Sequence, residues 1–540
     1  MEKGTGRTDP PARPNSRVLK ATVVVAVLAG LAWAVQAARS VPLSAPPEPA
    51  VRTLVELQQD LQSPQAPVRA QAVLALTQQQ DAAALPTLRS LLQRDPSAAV
   101  RGVAAIGLGA LQDRESTSAI AQLLVHDREI AADVLVDALA RMADPAGAAA
   151  VLPLLDSDND VLRLQAVEAL VAMQAQDHGT AILRMARANR DVEKAKTFAM
   201  VLGKLRVTQA QDYLLQLARD TEPSPTLAAS YLALGRIGSV RAVPMLAQAM
   251  GQDFEKGREN AREALIALRS PQALPAMLAY LGHGNREIRF SAAQVMAHIP
   301  DAASEARLLQ ILRTPGSVGA GPAAYALGRL KVQAAVTPVA ELLADKASPE
   351  REVLAQTLGW LGAREHIALL MRVLAEDEGD ARYGAAWSLG VLQAEEALDA
   401  LQRAASGNNL KLANYAIEAL GMIRSEASLG FLVRKAKDAP ELANGVMASI
   451  ANIAGRPAAQ ALEKFAAHED LRISRPALQA LAQRKDASTV AALMELMDSV
   501  EPDNRKQVYL ALSAVTGQKL SSAQAWHHWY AQRETQGVKR

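Results

Sequence analysis

The chain has 540 residues, too long for one ordinary globular core, and half are hydrophobic while only 3% are aromatic. Lys and Arg number 58 against 56 Asp and Glu, a net charge of +2 that argues against nucleic acid as the main ligand, because phosphate binding needs a basic stripe. There is no cysteine, which excludes disulfides, thiolate nucleophiles and Cys-ligated zinc.

Residues 1–17 are polar and basic, with Pro and Gly, and read as a disordered tail. Residues 18–38 read as a membrane anchor. Within them Ala21–Ala38 runs eighteen residues without a charge. At ~1.5 Å per residue a helix there covers about 27 Å, enough for a bilayer core. Trp33 suits an interfacial anchor, and the basic flank places the C-terminal bulk outside the cytoplasm. The expected location is therefore the inner membrane, single-pass, with the bulk facing the periplasm. A cleaved signal peptide is the alternative, with small-residue sites at Ala32-Trp33-Ala34 and Val35-Gln36-Ala37. The Pro-rich stretch within 39–50 (VPLSAPPEP) reads as a stiff spacer.

From residue 51 to 518 the sequence repeats. Aligning segments on VRGVAAIGLGAL (100–111) gives one column: Leu76, Leu108, Leu139, Leu170, Leu202, Leu234, Leu265, Met296, Leu327, Leu358, Leu389, Leu420, Ile450, Leu481 and Leu512. Every interval is 30, 31 or 32 residues, and all fifteen members are large aliphatics. Four positions earlier, nine of fifteen residues are Ala. One position later, Gly recurs at 109, 203, 235, 328, 359, 390 and 421, which implies helix contacts too close for a Cβ. Offsets −8, −4, 0 and +3 form one apolar stripe on a helix. A preceding helix, such as 117–125 or 333–344, completes each unit. Pro86, Pro244, Pro275 and Pro338 fall early in these first helices. The loops RDPSA (94–98), DSDND (156–160), EDEGD (376–380) and SGNN (406–409) supply Asp and Asn as expected N-caps. One unit cannot bury its own faces, so the predicted fold is all-α: an α-solenoid of about fifteen helix pairs stacked into a right-handed superhelix, preceded by the N-terminal transmembrane helix.

The motifs VRGVAAIGLGAL (100–111), LRLQAVEALVAM (162–173), IRFSAAQVMAHI (288–299) and ARYGAAWSLGVL (381–392) resemble short bacterial HEAT repeats, the type named for phycobilisome lyases. The resemblance is specific for fold and says little of function. It implies that Arg69, Arg101, Arg163, Arg289, Arg382 and Arg505 pair with loop Asp residues in a ladder, interrupted where Ala195 or Leu227 stands. Residues 519–540 depart from the pattern. Trp526, Trp529 and Tyr530 share one helix face and read as a cap over the open end of the array, with a docking patch as the alternative.

Catalytic signals are weak. The eight His are scattered, adjacent His527 and His528 point about 100° apart on a helix, and no phosphate loop, nucleophile elbow or zinc-helix motif occurs. No catalytic residue, metal site or cofactor is assigned. The expected partner is another envelope protein. In such arrays the second helices line the concave face, and their outward positions fall at offsets −6, −2 and +2. Five of the chain's eighteen aromatics lie on that stripe in four consecutive repeats: Phe290, Tyr325, Trp360, Tyr383 and Trp387, interleaved with Gln294, His298, Arg329 and Gln356. Aromatics and Arg dominate interface hot spots. The stripe is read as a partner-binding surface. Packing of these rings between repeats remains open, as do a glycan- or peptidoglycan-binding module and a lyase-like enzyme or enzyme subunit.

Overall fold

A computed structural model describes residues 54–78, 82–484, 487–499 and 502–537. The tail, the anchor and the spacer expected over residues 1–50 lie outside them. Among the described residues no helix is long and apolar enough to cross a membrane.

The chain forms an all-helical solenoid in which antiparallel helix pairs follow one another in order. Repeats are numbered here by their column residue, from Leu76 in repeat one to Leu512 in repeat fifteen. Second helices run, for example, Ala98–Ala110, Ala320–Arg329 and Ala381–Val391. First helices are shorter and often enter through a 3-10 turn. The helix expected over 333–344 is such a turn, Gln333–Ala335, followed by Val336–Ala344.

All fifteen column residues are buried, none more than 2% exposed. Each contributes ~1.5–3 kcal/mol by leaving water, so stability is spread along the array. The glycine after the column residue is where successive second helices touch. A Cβ on Gly109, Gly203, Gly235 or Gly390 would lie 2.5–2.8 Å from the Cα of Ala138, Ala233, Ala264 or Ala419, the residue just before the next column Leu. At Gly359 and Gly421 the neighbours are the hydroxyls of Ser388 and Ser449, 2.6 Å away. Those hydroxyls donate back across the interface to the Ala355 and Ile417 carbonyls at 2.8 Å. Second helices therefore pack backbone to backbone while first helices touch more sparsely, a difference that bends a stacked array toward its second helices.

The column residue also ends its helix. The carbonyls of Leu108, Leu170, Leu202, Leu234, Leu327, Leu358 and Leu389 each accept from the N–H five residues on, at 2.9–3.0 Å. The intervening residue is left-handed, with φ of 50–58° at Gln112, Gln174, Arg206, Lys331 and Gln393 and 77° at Gly238. This is a Schellman motif, mostly without its usual glycine.

The inter-helix loops divide the work of their Asp and Asn. Asn159 and Asn409 cap as expected, accepting from Val161 N at 3.0 Å and Leu412 N at 3.0 Å. In the other two loops the expectation is corrected. Asp95 and Asp377 end the first helix instead of capping the second, and each is taken by an arginine: Asp95 by Arg69 and Asp377 by Arg351. A guanidinium supplies several donors, which outweighs one N-cap bond.

At the C-terminal end, helix Ala523–Gly537 lies against the first helix of repeat fifteen. Trp526 is fully buried and donates from Nε1 to the Leu520 carbonyl at 3.0 Å. Trp529 packs edge-on to it at 5.6 Å, and Trp529 and Tyr530 are half-buried against the core. The aromatic face covers the last repeat. His527 and His528 take separate partners, Asp498 and Gln532.

Candidate partner-binding face

The stripe residues come together as a continuous ladder of rings. Phe290 meets Tyr325 at a centroid distance of 6.4 Å, Tyr325 meets Trp360 at 5.4 Å, and Trp360 meets Trp387 at 5.8 Å. The rings stand at 77°, 88° and 67° to one another, the edge-to-face geometry favoured by the aromatic quadrupole. The register explains how distant residues meet. Phe290 sits at offset −6, Tyr325 at −2 and Trp360 at +2, a climb of one helical turn per repeat, and Trp387 at −2 then steps back one turn. The same diagonal appears earlier in the array as an ion pair, Lys204 at +2 to Glu168 at −2. Repeats eight to eleven thus put rings where repeats four and five put charges.

Phe290, Tyr325, Trp360 and Trp387 are half-buried: they pack between repeats and still present surface. Tyr383 departs from the stripe. It is buried, stacks on Tyr415 of repeat twelve at 5.4 Å with 19° between planes, and its hydroxyl accepts from Asn409 Nδ2 at 3.2 Å. Gln294 and His298 are half-buried and engaged with each other, His298 Nδ1 lying 2.8 Å from the Gln294 carbonyl oxygen. Arg329 is exposed, with its guanidinium 5.7 Å from the Trp360 centroid.

Cations border the ladder at both ends. Arg286 stacks on Phe290, the first rung, at 4.5 Å, and beyond the last rung Lys411 stacks on the inward-turned Tyr383 at 4.0 Å. Sequence reasoning missed both, together with Tyr415. Arg286 and Lys411 lie one helical turn before Phe290 and Tyr415, so carrying the i, i+4 rule one turn earlier finds them. Arg286 is held by Glu350, with hydrogen bonds of 2.8 and 2.7 Å that span from repeat eight to repeat ten. Gly321 of repeat nine lets that link pass, since a Cβ there would lie 2.5 Å from Glu350 Cβ. Beside it, Glu352 is held above the usual carboxylate range, first by burial and then by the charge of Asp380. Arg286, Glu350, Glu352, Arg351, Asp377 and Asp380 line a polar cleft of about 590 Å³ next to the rings. The face combines half-buried aromatics, bordering cations and an adjoining charged cleft, which suits a polypeptide surface of mixed chemistry.

Models for HEAT repeats match residues 54–135 and 179–266, and the model for the PBS lyase HEAT-like repeat matches residues 381–407. HEAT repeats are thus matched over these three segments, within an array that is an α-solenoid along its described length. No curated protein matches it in sequence. Among solved structures it is similar to importin beta in an ammonium sulfate condition, at 13% identity over 86% of this chain and 72% of that one, with a TM-score of 0.44. It is also similar to Kap121p, at 14% identity over 86% of this chain, with a TM-score of 0.41. The chain spans 56% of the length of Kap121p.

Proposed function

We propose that this protein is a non-catalytic scaffold, tethered in the inner membrane by residues 18–38 and facing the periplasm, that holds a partner protein of the envelope along the inner face of repeats eight to eleven. The observation that carries this reading is the ring ladder from Phe290 to Trp387. Four large rings, flanked by Arg286 and Arg329, lie half-exposed on the side toward which the array curves. That is the composition of a hot-spot cluster, and the inner face of a solenoid is its usual binding surface. Adjacent rings stand at 67–88° to one another, so neighbouring rings do not offer the coplanar faces on which consecutive sugars stack. The geometry favours polypeptide over glycan. The anchor is supported by the uncharged run Ala21–Ala38 and its basic flank.

The test is co-purification from crosslinked envelope membranes with the full chain and with a Tyr325→Ala/Trp387→Ala variant. The scaffold reading expects a defined partner protein on the wild type, lost from the variant while helical content is retained. Retention of every partner by the folded variant removes the ladder from the account.

A further inference from the structure

The residue seven positions before the column leucine decides what fills a recess at the edge of the array. In repeat one it is Arg69, whose guanidinium donates to the Ser63 carbonyl six residues back and to both Asp95 oxygens, each at 2.8 Å. In repeat two Arg101 reaches the Asp95 carbonyl at 3.1 Å and Asp127 at 2.9 Å. Arg163, Arg258 and Arg289 also donate to the carbonyl six residues back, at 2.6, 3.1 and 2.9 Å. Where the Asp partner is present, each guanidinium bridges its own loop and the C-terminal end of the next repeat's first helix. Carbonyls left over from helix ends and the Asp that follows make that recess attractive to a cation.

Repeat nine has Ala320 at this position, and its recess is wider than the cleft of about 280 Å³ left beside Arg351 in repeat ten. A cleft of about 440 Å³ is lined by Ala320, Thr314, Pro315, Pro338, Leu342 and Asp345. Thr314 stands six residues before Ala320, where repeats one, two, four, seven and eight offer their carbonyl. Asp345 ends the first helix of repeat ten, as Asp95, Asp127 and Asp377 end theirs. Those three each hold an arginine. Asp345 has no ion pair among the described residues. It is exposed where Asp95 is buried, and its Oδ1 accepts from the Ala347 N–H at 2.9 Å. Glu341 also lines the cleft, so its carboxylates outnumber its one arginine, Arg313. Repeat five has a related opening: at Ala195 a cleft of about 320 Å³ is lined by Asn189, six residues earlier, and by Asp220, the last residue of the next first helix, but Thr221 stands in the capping position and Arg187 and Arg190 also line it.

We infer that the repeat-nine cleft is a vacant arginine slot that receives an arginine side chain of a partner polypeptide, completing from outside the bond set that Arg69 and Arg101 complete from within. The guanidinium fork suits a carboxylate plus a carbonyl, whereas a lysine ammonium is a compact point charge with a larger hydration cost. Ala320 and Tyr325 share one helix, so a segment lying on the rings has the slot within reach. The slot itself depends on neither the rings nor the membrane anchor, and it stands or falls separately from the scaffold reading.

The test is calorimetric or NMR titration of the full chain carrying Ala195→Arg, which fills the repeat-five cleft, with Nα-acetyl-arginine amide, its lysine counterpart and free L-arginine. The blocked arginine is expected to bind at roughly millimolar strength, as suits a single side chain, and at least tenfold tighter than the lysine compound. Asp345→Asn should weaken it at least tenfold. Ala320→Arg should abolish binding and leave melting unchanged or raised. Should either arginine variant fail to fold, Asp345→Asn in the otherwise native chain decides. Equal binding of the two blocked compounds, indifference to Asp345→Asn, or binding that survives a folded Ala320→Arg overturns the inference. A requirement for the free α-groups of L-arginine overturns the polypeptide source.

Discussion

Arg286 and Glu350 are joined by two hydrogen bonds of 2.8 and 2.7 Å across the width of a whole repeat. Arg286 is largely exposed, so solvent screens the pair and its contribution to global stability is small. Its effect is local: it fixes the guanidinium over Phe290 and anchors the loop before the second helix of repeat ten. Glu350→Gln should change unfolding free energy by no more than about 1 kcal/mol. Hydrogen exchange at residues 346–353 should nevertheless rise, and a global loss of protection would contradict this local role.

The contact of Gly235 with Ala264 makes a sharper stability prediction. Gly→Ala inside an exposed helix gains up to about 1 kcal/mol. At Gly235 the added Cβ would sit 2.5 Å from a backbone Cα, and that atom cannot move without shifting the helix. Gly235→Ala should therefore destabilise by ~1–3 kcal/mol, the range for overpacking. Gly430→Ala, whose Cβ has nothing nearer than 3.7 Å, should cost nothing. Denaturant melts of the two variants compare them directly.

The N-terminal repeats should be acid-sensitive. The Arg69 hydrogen bond holds the Asp95 carboxyl below its usual range, and Arg89 does the same for Asp113. Asp127 is lowered first by the Glu129 N–H and further by Arg101. A lowered carboxylate contributes stability that is present above its unfolded pKa and is lost as pH falls through the folded value. Glu352 has the opposite sign: raised by burial, it stabilises least when ionised and is relieved by protonation. Protection factors in repeats one to three should thus fall below about pH 4 before those of repeat ten do. Simultaneous loss along the array would count against the ladder as the cause.

The cap offers a fourth outcome. Trp526 is fully buried at the end of a quasi-one-dimensional array, where only one neighbour supports the last repeat. Trp526→Ala should cost about 3–5 kcal/mol, confined to repeats fourteen and fifteen. Hydrogen exchange resolved by peptide should show fraying there and unchanged protection around Leu234.

The repeat was legible because its determinants are apolar and periodic. The fifteen-member column, the Ala column and the seven glycines all fall where burial and close contact require them. Less legible was anything set by a polar side chain with a choice of partners. Asp95 and Asp377 read both as caps and as loop partners for the arginine ladder; Arg69 and Arg351 claim them, whereas Arg163, Arg289 and Arg382, expected to pair with Asp as well, donate to carbonyls. Arg258 and Arg351 hold the same position and were equally legible, since GRENAREALIAL (257–268) and EREVLAQTLGWL (350–361) keep the column leucine and the aliphatic three residues on. The left-handed ends of the second helices carried no signal, since Gln112, Lys331 and Gln393 stand where glycine usually does. At the candidate site, the i, i+4 stripe placed Phe290, Tyr325, Trp360 and Trp387 on one face. It could not show that Tyr383 turns inward to stack on Tyr415, because that depends on the spacing of two helices from different repeats.

The central claim is that the ring ladder holds a protein partner, and the most direct measurement is quantitative crosslinking with mass spectrometry on native membranes, comparing wild type with Tyr325→Ala/Trp387→Ala. The account predicts inter-protein crosslinks concentrated at Arg286–Val391 in the wild type, made through nearby lysines such as Lys331 and Lys346, and their loss by tenfold or more in the variant. Crosslinks that persist undiminished, or that cluster on the first helices instead, would contradict it.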